Sequence, residues 1–228
     1  MMDHAHDLAC VREATDRLLT AVAALDNAAL AGPSRLPGWS RGHVLAHLAR
    51  NADALVNVLE GRPMYASAEA RNADIEEGSA RPVEIQVADV RDSAARFQAA
   101  GDAPADWTRT VELRNGVTDS ASRVPFRRWA EVELHHVDLG IGYELEDLPA
   151  EFVERETGFL AERFSGLSDV PAVRLTDGTR AWITGRGADV PGITVTGRPA
   201  DLLGWLAGRR DGAALEVAGG DLPKLPPL

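Results

Sequence analysis

The chain has 228 residues, with 24 Lys+Arg against 35 Asp+Glu and a formal net charge of −11, a balance that argues against nucleic acid because phosphate affinity comes from clustered Lys and Arg. Hydrophobic residues make up 45% and charged residues 26%, which supports a buried core in one large or two small domains and excludes the composition of disorder. No apolar run approaches the roughly 18–20 residues that span a bilayer, MMDHAHDLAC lacks the Lys/Arg and apolar block of an export signal, and the single cysteine, Cys10, excludes an intramolecular disulfide.

These features point to a reducing cytoplasm, and to thiol chemistry, if any, supplied from outside the chain. Residues 4–30 read as one long amphipathic helix, with Leu8, Val11, Leu18, Leu19, Val22 and Leu25 at helical spacing. The Gly- and Pro-rich stretch 31–38 breaks it, and Ser40 is an N-cap for a second helix running to Glu60. Residues 62–80 read as a long loop or broken helix. Pro82 opens a third helix that fades by Gly101. TRTVEL alternates like a strand before a turn at Asn115-Gly116, and a fourth helix runs from about Pro125 to Gly140 or Gly142.

After Pro149 the character changes. One more helix, 150–165, leads into short β-type runs at Ala172–Thr176 and Arg180–Thr184 around an Asp177-Gly178 turn. A strand at Ile193–Thr196, a helix from Ala200 to Gly208 and a strand at Leu215–Ala218 follow. The expectation is an α+β protein: an N-terminal four-helix bundle over residues 1–150 and a small α/β domain over 151–228.

Chemistry-bearing residues concentrate on two of the predicted helices. His43 and His47 are four apart on the second; Glu131/His135 are four apart and Glu133/His136 three apart on the fourth. Such spacings stack side chains on one helix face. A histidine from one helix and a Glu–His pair from another can converge on one metal, and two imidazoles with a carboxylate suit zinc with an open position. At ~100° per residue, His47 lies roughly 60° outside the apolar arc of its helix and His43 about 100° outside it, which favours His47 facing inward. Register leaves the fourth helix open, since Glu131, His135 and Asp138 share a stripe opposite Trp129 while Glu133 and His136 sit nearer to it. The competing account of each pair is an ordinary surface or core polar contact. Arg209 and Arg210 follow the last helix, where cations suit the helix dipole or could clamp a carboxylate. Trp39, Trp129 and Trp205 read as core anchors, and Cys10 as a small buried hydrophobe.

Four blocks taken together, LPGWSRGHVLAHLARNADAL (36–55), PMYASAEARNADIEEGS (63–79), WAEVELHHVDLG (129–140) and LLGWLAGRRDG (202–212), resemble the mycothiol-dependent maleylpyruvate isomerases over nearly the whole chain. The resemblance implies a DinB-like helical domain followed by a sterol-carrier-like α/β domain. It implies zinc held by His47, Glu131 and His135, and an active-site role for Arg209, with Arg210 the looser match. It implies mycothiol, a low-molecular-weight thiol, as cosubstrate, and a small dicarboxylate, maleylpyruvate, isomerised to fumarylpyruvate in gentisate degradation. Competing readings are a thiol S-transferase on the same scaffold, acting on another electrophile, and a non-catalytic metal-binding module. Neither nucleic acid nor membrane is an expected partner. The sequence sets no oligomeric state and is compatible with a monomer.

Overall fold

In the computed structural model, which describes residues 3–186 and 191–227, the chain divides into two units, Met1–Tyr143 and Glu144–Leu228. The first begins with α1 (His4–Val22), whose N-cap Asp3 accepts hydrogen bonds from the amides of Ala5 and His6. Apolar periodicity predicts a single helix to residue 30, but the structure breaks it after Val22 and starts a short α2 (Asn27–Ala31). The cause is local. The Asp26 carboxylate takes the Ala29 amide at 2.7 Å, and the Asn27 side chain accepts the Val83 amide at 2.8 Å. Short polar side chains of this kind compete with a continuous helix for backbone groups.

Next comes α3 (Arg41–Leu59), begun by a reciprocal cap: Ser40 Oγ accepts the His43 amide, and His43 Nδ1 accepts the Ser40 amide. The stretch read as a loop or broken helix contains a well-formed helix, α4 (Ala68–Ser79), capped by Ser67. It escapes a periodicity search because only Ile75 and Gly78 are buried. Its packing rests on missing side chains. A Cβ on Gly42 would stand 2.4 Å from the Ser79 carbonyl oxygen, and one on Gly78 would stand 2.9 Å from the Ala46 Cβ. After Pro82 runs α5 (Val83–Asp102), then a hairpin of β1 (Thr110–Glu112) and β2 (Thr118–Ser120). Its turn carries left-handed backbone at Asn115 (φ 60°) and Gly116 (φ 72°), the residue types that tolerate it. The last helix of the unit is α6 (Val124–Asp138), with Pro in its first turn.

Four of these helices form the expected bundle: α1 packs on α5 and α6, and α3 packs on α5 and α6. Leu18, Leu45, Leu48, Leu55, Val90, Phe97 and Val132 fill its core. No helix among the described residues is long and apolar enough to cross a membrane.

The second unit opens with α7 (Ala150–Ser165). Its strands are β3 (Val173–Thr176), β4 (Ala181–Thr184), β5 (Ile193–Thr196) and β6 (Glu216–Ala218), with α8 (Pro199–Leu206) between the last two. The sheet order is β4-β3-β5-β6, with β3 and β5 parallel and the outer pairings antiparallel. α7 packs on β4 and α8, and Phe152, Leu160, Phe164, Leu175, Val195 and Leu202 are buried. A helical unit followed by a small mixed α/β unit is the α+β class that the sequence predicts.

The glycine contact between α3 and α4 gives a test with an informative sign. Replacing an ordinary helical glycine by alanine gains up to about 1 kcal/mol. At Gly42 the added Cβ meets backbone, so Gly42→Ala should instead cost about 1–3 kcal/mol. Denaturant unfolding of the full chain, followed by helical circular dichroism, measures this directly.

Candidate metal centre

Two guanidinium groups set the register of α3 against α6. At one end, Arg41 Nε donates to the Leu139 carbonyl at 2.8 Å and its Nη1 to the Ala29 carbonyl at 2.9 Å, where carbonyls at the end of a helix lack partners of their own. At the other, Arg128 of α6 is fully buried; its Nη1 donates to the Leu48 carbonyl at 2.9 Å and to Asn51 Oδ1 at 2.8 Å. Burial pushes the Arg128 pKa down to about 10, against the pull of Glu131, Tyr65 and Asp53. The helices are therefore antiparallel and tied at two points, the start and the middle of α3, with His47 of α3 facing Glu131 and His135 of α6 between the ties.

The three side chains converge. His47 Nε2 lies 2.9 Å from Glu131 Oε2, and His135 Nε2 lies 3.3 Å from the same oxygen. The two imidazoles meet edge to face at 4.7 Å between centroids. One ligand-type atom from each of the three lies within 4.8 Å of the others, the one such cluster of His, Cys, Asp or Glu among the described residues. His47 is 6% exposed, and the Glu131 side chain about a third exposed at 33%, so the cluster is walled by protein yet reachable.

Charge states follow from the surroundings. Burial pushes the His47 imidazole below its ordinary value. Burial opposes ionisation of Glu131, but hydrogen bonds with His135 and His47 outweigh it and hold the carboxyl well below the usual range. His135 goes the other way: burial disfavours its cation, but hydrogen bonds to Asp138 and Glu131 raise its pKa overall. The Asp138 contact, 2.8 Å from His135 Nδ1, comes from a carboxylate with no exposed surface. It leaves Nε2 aimed at the cluster, the outer-shell arrangement that orients metal-binding histidines. On His47 the outer neighbour differs. Arg71 of α4 places Nη2 3.2 Å from His47 Nδ1, and arginine only donates. Nδ1 is therefore the acceptor and Nε2 carries the proton toward Glu131.

This donor set fits a zinc-type ion: two imidazole nitrogens, one carboxylate and an approach from solvent. Holding an ion through His47 Nε2 would require the ring proton at Nδ1, where Arg71 cannot accept it, so metal binding and the Arg71 hydrogen bond would compete while the two side chains stay neighbours.

The other candidates have different positions. His43 is half-buried, with Nδ1 engaged in the α3 cap and Nε2 3.3 Å from Glu76. Glu133 and His136 are both buried but away from the cluster. Glu133 accepts from Trp129 Nε1 at 3.0 Å, from the Tyr143 hydroxyl at 2.8 Å and from Arg17 of α1, while His136 stacks on Tyr143 at 4.0 Å. That pair ties α6 to α1. Trp129 and Trp205 are core residues. Trp39 is not; it is half-buried with its ring 5.6 Å from His47, because the Gly–Pro segment before α3 returns it beside that helix. Cys10, expected to be buried, is half-exposed, with Sγ 3.5 Å from His6 Nε2. In the second unit Arg209 stands just past α8 with Nη1 donating to the Ala207 carbonyl at 2.6 Å. Arg210 is occupied by Asp201 and by both Glu146 oxygens at 2.8 Å. Sequence reasoning did not single out Arg71 or Arg128, and it placed Asp138 on one stripe with Glu131 and His135 without giving it a role; the spacing 128–131–135–138 puts Arg128 on that stripe of α6 as well.

Comparison with known proteins agrees along the whole chain. Residues 11–140 match the family model described as the mycothiol maleylpyruvate isomerase N-terminal domain, and residues 147–227 match the MDMPI C-terminal domain. A crystal structure of the mycothiol-dependent maleylpyruvate isomerase is similar, with a TM-score of 0.88 and 28% identity, covering 99% of this chain and 97% of that one. A structure of a histidine-to-alanine mutant of the isomerase so named matches with the same TM-score and 27% identity. No curated protein matches at a significant level.

Of the three cluster residues, only His135 has a pKa shifted against metal binding. Below that pKa each ion bound displaces one proton, so affinity for zinc or cobalt should rise about tenfold per pH unit and then level off above it. Asp138→Asn removes the acceptor that raises the pKa, and should move the plateau to lower pH. Competition with a chromophoric chelator across the neutral range reads both effects; a flat profile would contradict the assignment of His135.

Proposed function

The chain belongs to the mycothiol maleylpyruvate isomerase family, and from that premise we propose that it is a zinc- and mycothiol-dependent enzyme of the cytoplasm converting maleylpyruvate to fumarylpyruvate in gentisate degradation. The observation that carries the reading is the convergence of His47, Glu131 and His135 across two helices. A C=C bond does not rotate at ordinary temperature, so cis–trans conversion needs a nucleophile that adds, permits rotation and leaves. The chain's one thiol, Cys10, is on α1 beside His6 and outside the cluster, which agrees with a nucleophile supplied as a small thiol.

His47, Glu131 and His135 are the residues that would hold zinc, whose contribution when bound is to make a thiol ionise at neutral pH. The chain's own groups do the rest. Asp138 fixes the His135 ring with Nε2 presented to the cluster. Arg41 and Arg128 keep α3 and α6 in register, and Trp39 stands against one side of His47. Addition to the double bond develops enolate charge next to a carboxylate, and a fixed cation there lowers the barrier. Arg209 is the residue we assign to that role. In its favour, Arg210 is already paired with Asp201 and Glu146, which makes it a structural group of the second unit.

The test is loss of maleylpyruvate absorbance with mycothiol, glutathione or no thiol, before and after chelation. Expected are dependence on mycothiol, loss of turnover on chelation with recovery on adding zinc, and no net thiol consumed. Stoichiometric thiol consumption would identify an S-transferase instead, and turnover without thiol would overturn the mechanism. His47→Ala should abolish stoichiometric zinc. Arg209→Ala should lower kcat/KM by roughly 10²-fold, whereas Arg210→Ala should mainly lower the stability of the second unit.

A further inference from the structure

A groove of about 520 Å³ in the first unit lies between the α3–α4 connection and the β1–β2 hairpin. Its walls include Arg62, Tyr65, Ser67, Arg109, Glu112 and Arg114, an excess of cations in a chain whose net charge is −11. Two of the three arginines have structural engagements: Arg62 pairs with Glu60, and Arg109 donates to the Leu59 carbonyl. The Arg109 hydrogen bond is to a carbonyl, which brings no counter-charge of its own. The Arg114 guanidinium makes no hydrogen bond or ion pair among the described residues; its interaction is the longer-range one with Tyr65. The left-handed turn at Asn115 and Gly116 holds it at the tip of the hairpin. The first residue of the twelve-residue α4, Ala68, also faces the groove, so that helix presents its positive end there.

The groove adjoins the metal centre through two side chains. The Arg71 guanidinium carbon lies 5.7 Å from the Tyr65 ring centroid, and the same arginine reaches His47 Nδ1 at 3.2 Å. Tyr65 is thus a wall of the groove and one residue removed from the His47–Glu131–His135 cluster. Burial and the neighbouring Glu131 keep its hydroxyl protonated above the ordinary tyrosine range, so it is available as a hydrogen-bond donor.

We propose that this groove is the subsite for one carboxylate of the substrate, with Arg114 as the cation that receives it and Tyr65 as the wall between subsite and metal centre. The inference rests on the reading of the chain as an isomerase of a dicarboxylate. A charged guanidinium with no counter-ion, beside a fixed one and a helix N-terminus, selects an anion. A carboxylate matches the flat fork of arginine.

The test separates binding from turnover. Succinate, a dicarboxylate with no double bond to isomerise, is titrated into the full-length, zinc-supplemented protein and followed by ligand-observed NMR. Arg114→Gln should weaken succinate binding about tenfold or more and raise KM for maleylpyruvate similarly. Zinc content and KM for the thiol should stay unchanged, and Arg114→Lys should recover part of the loss. Arg155→Gln, a control at an exposed α7 ion pair, should do nothing. Unchanged succinate binding in Arg114→Gln overturns the proposal, as does a KM effect that falls on the thiol instead. If succinate binds through Arg114 while wild-type protein shows no isomerisation, the subsite stands and the isomerase reading falls.

Discussion

The contact on which the chemistry of the first unit depends is the pairing of α3 with α6 through Arg41 and Arg128. Neither arginine forms its tie with a carboxylate. Arg41 takes carbonyls at the end of α6 and of α2, and Arg128 takes a carbonyl and an amide oxygen in the middle of α3. Hydrogen bonds of this kind, with one charged partner, contribute about 1.5–3 kcal/mol each where neutral ones contribute near 1. They also have fixed directions, which apolar packing lacks. A slip of one residue along either helix would turn His47 away from Glu131, since each residue rotates the face by about 100°. Leu45, Leu48 and Val132 could repack after such a slip. Arg128 could not, because its buried Nη1 would lose both of its acceptors, the Leu48 carbonyl and Asn51 Oδ1.

α6 illustrates how one helix serves two neighbours. It carries Arg128, Glu131, His135 and Asp138 toward α3, and Glu133 and His136 toward α1 and Tyr143. Both sets are polar and both are largely buried, which is why helical register alone could not choose between the two Glu–His pairs. What distinguishes them is the partner helix. Opposite Glu133 stands Arg17, a cation that satisfies the carboxylate without a metal. Opposite Glu131 stands His47, whose cation burial disfavours, and among the described residues no arginine or lysine pairs with that carboxylate. The sequence of α6 contains the two stripes but not the identity of what faces each; only the resemblance to a family supplied the choice.

The same distinction explains what was legible elsewhere. The long helices α3, α5 and α6, the Ser40 cap, the Asn115-Gly116 turn and the strand β5 are local in origin, and each follows from spacing or from one residue's conformational preference. The helix α4 was invisible because it packs through Gly42 and Gly78, by the absence of side chains, and so leaves no apolar stripe. The break between α1 and α2 was missed because Asp26 and Asn27 interrupt the helix without glycine or proline. Trp39 reads as a core anchor in the sequence, yet chain return through a Pro–Gly turn puts it beside His47. In each case the deciding contact lies between segments distant in sequence or depends on a side-chain hydrogen bond that periodicity does not count.

The distribution of positive charge links these observations to function. All but one of the 24 Lys+Arg residues are arginine, and most of those described are committed to carbonyls or carboxylates within the fold, as Arg41, Arg128, Arg17, Arg50 and Arg210 are. An acidic protein that uses its guanidinium groups as internal ties has few left to receive an anion. Arg114 differs in standing at a hairpin tip, next to the left-handed backbone of Asn115 and Gly116. This places the groups of the metal centre on two rigid helices, where positions must hold to a fraction of an ångström, and an uncommitted cation on a loop, where sequence can change without disturbing the bundle. On the proposed assignment the helical ties hold the centre in place, and the hairpin beside it is where a substitution would alter anion preference without disturbing the bundle.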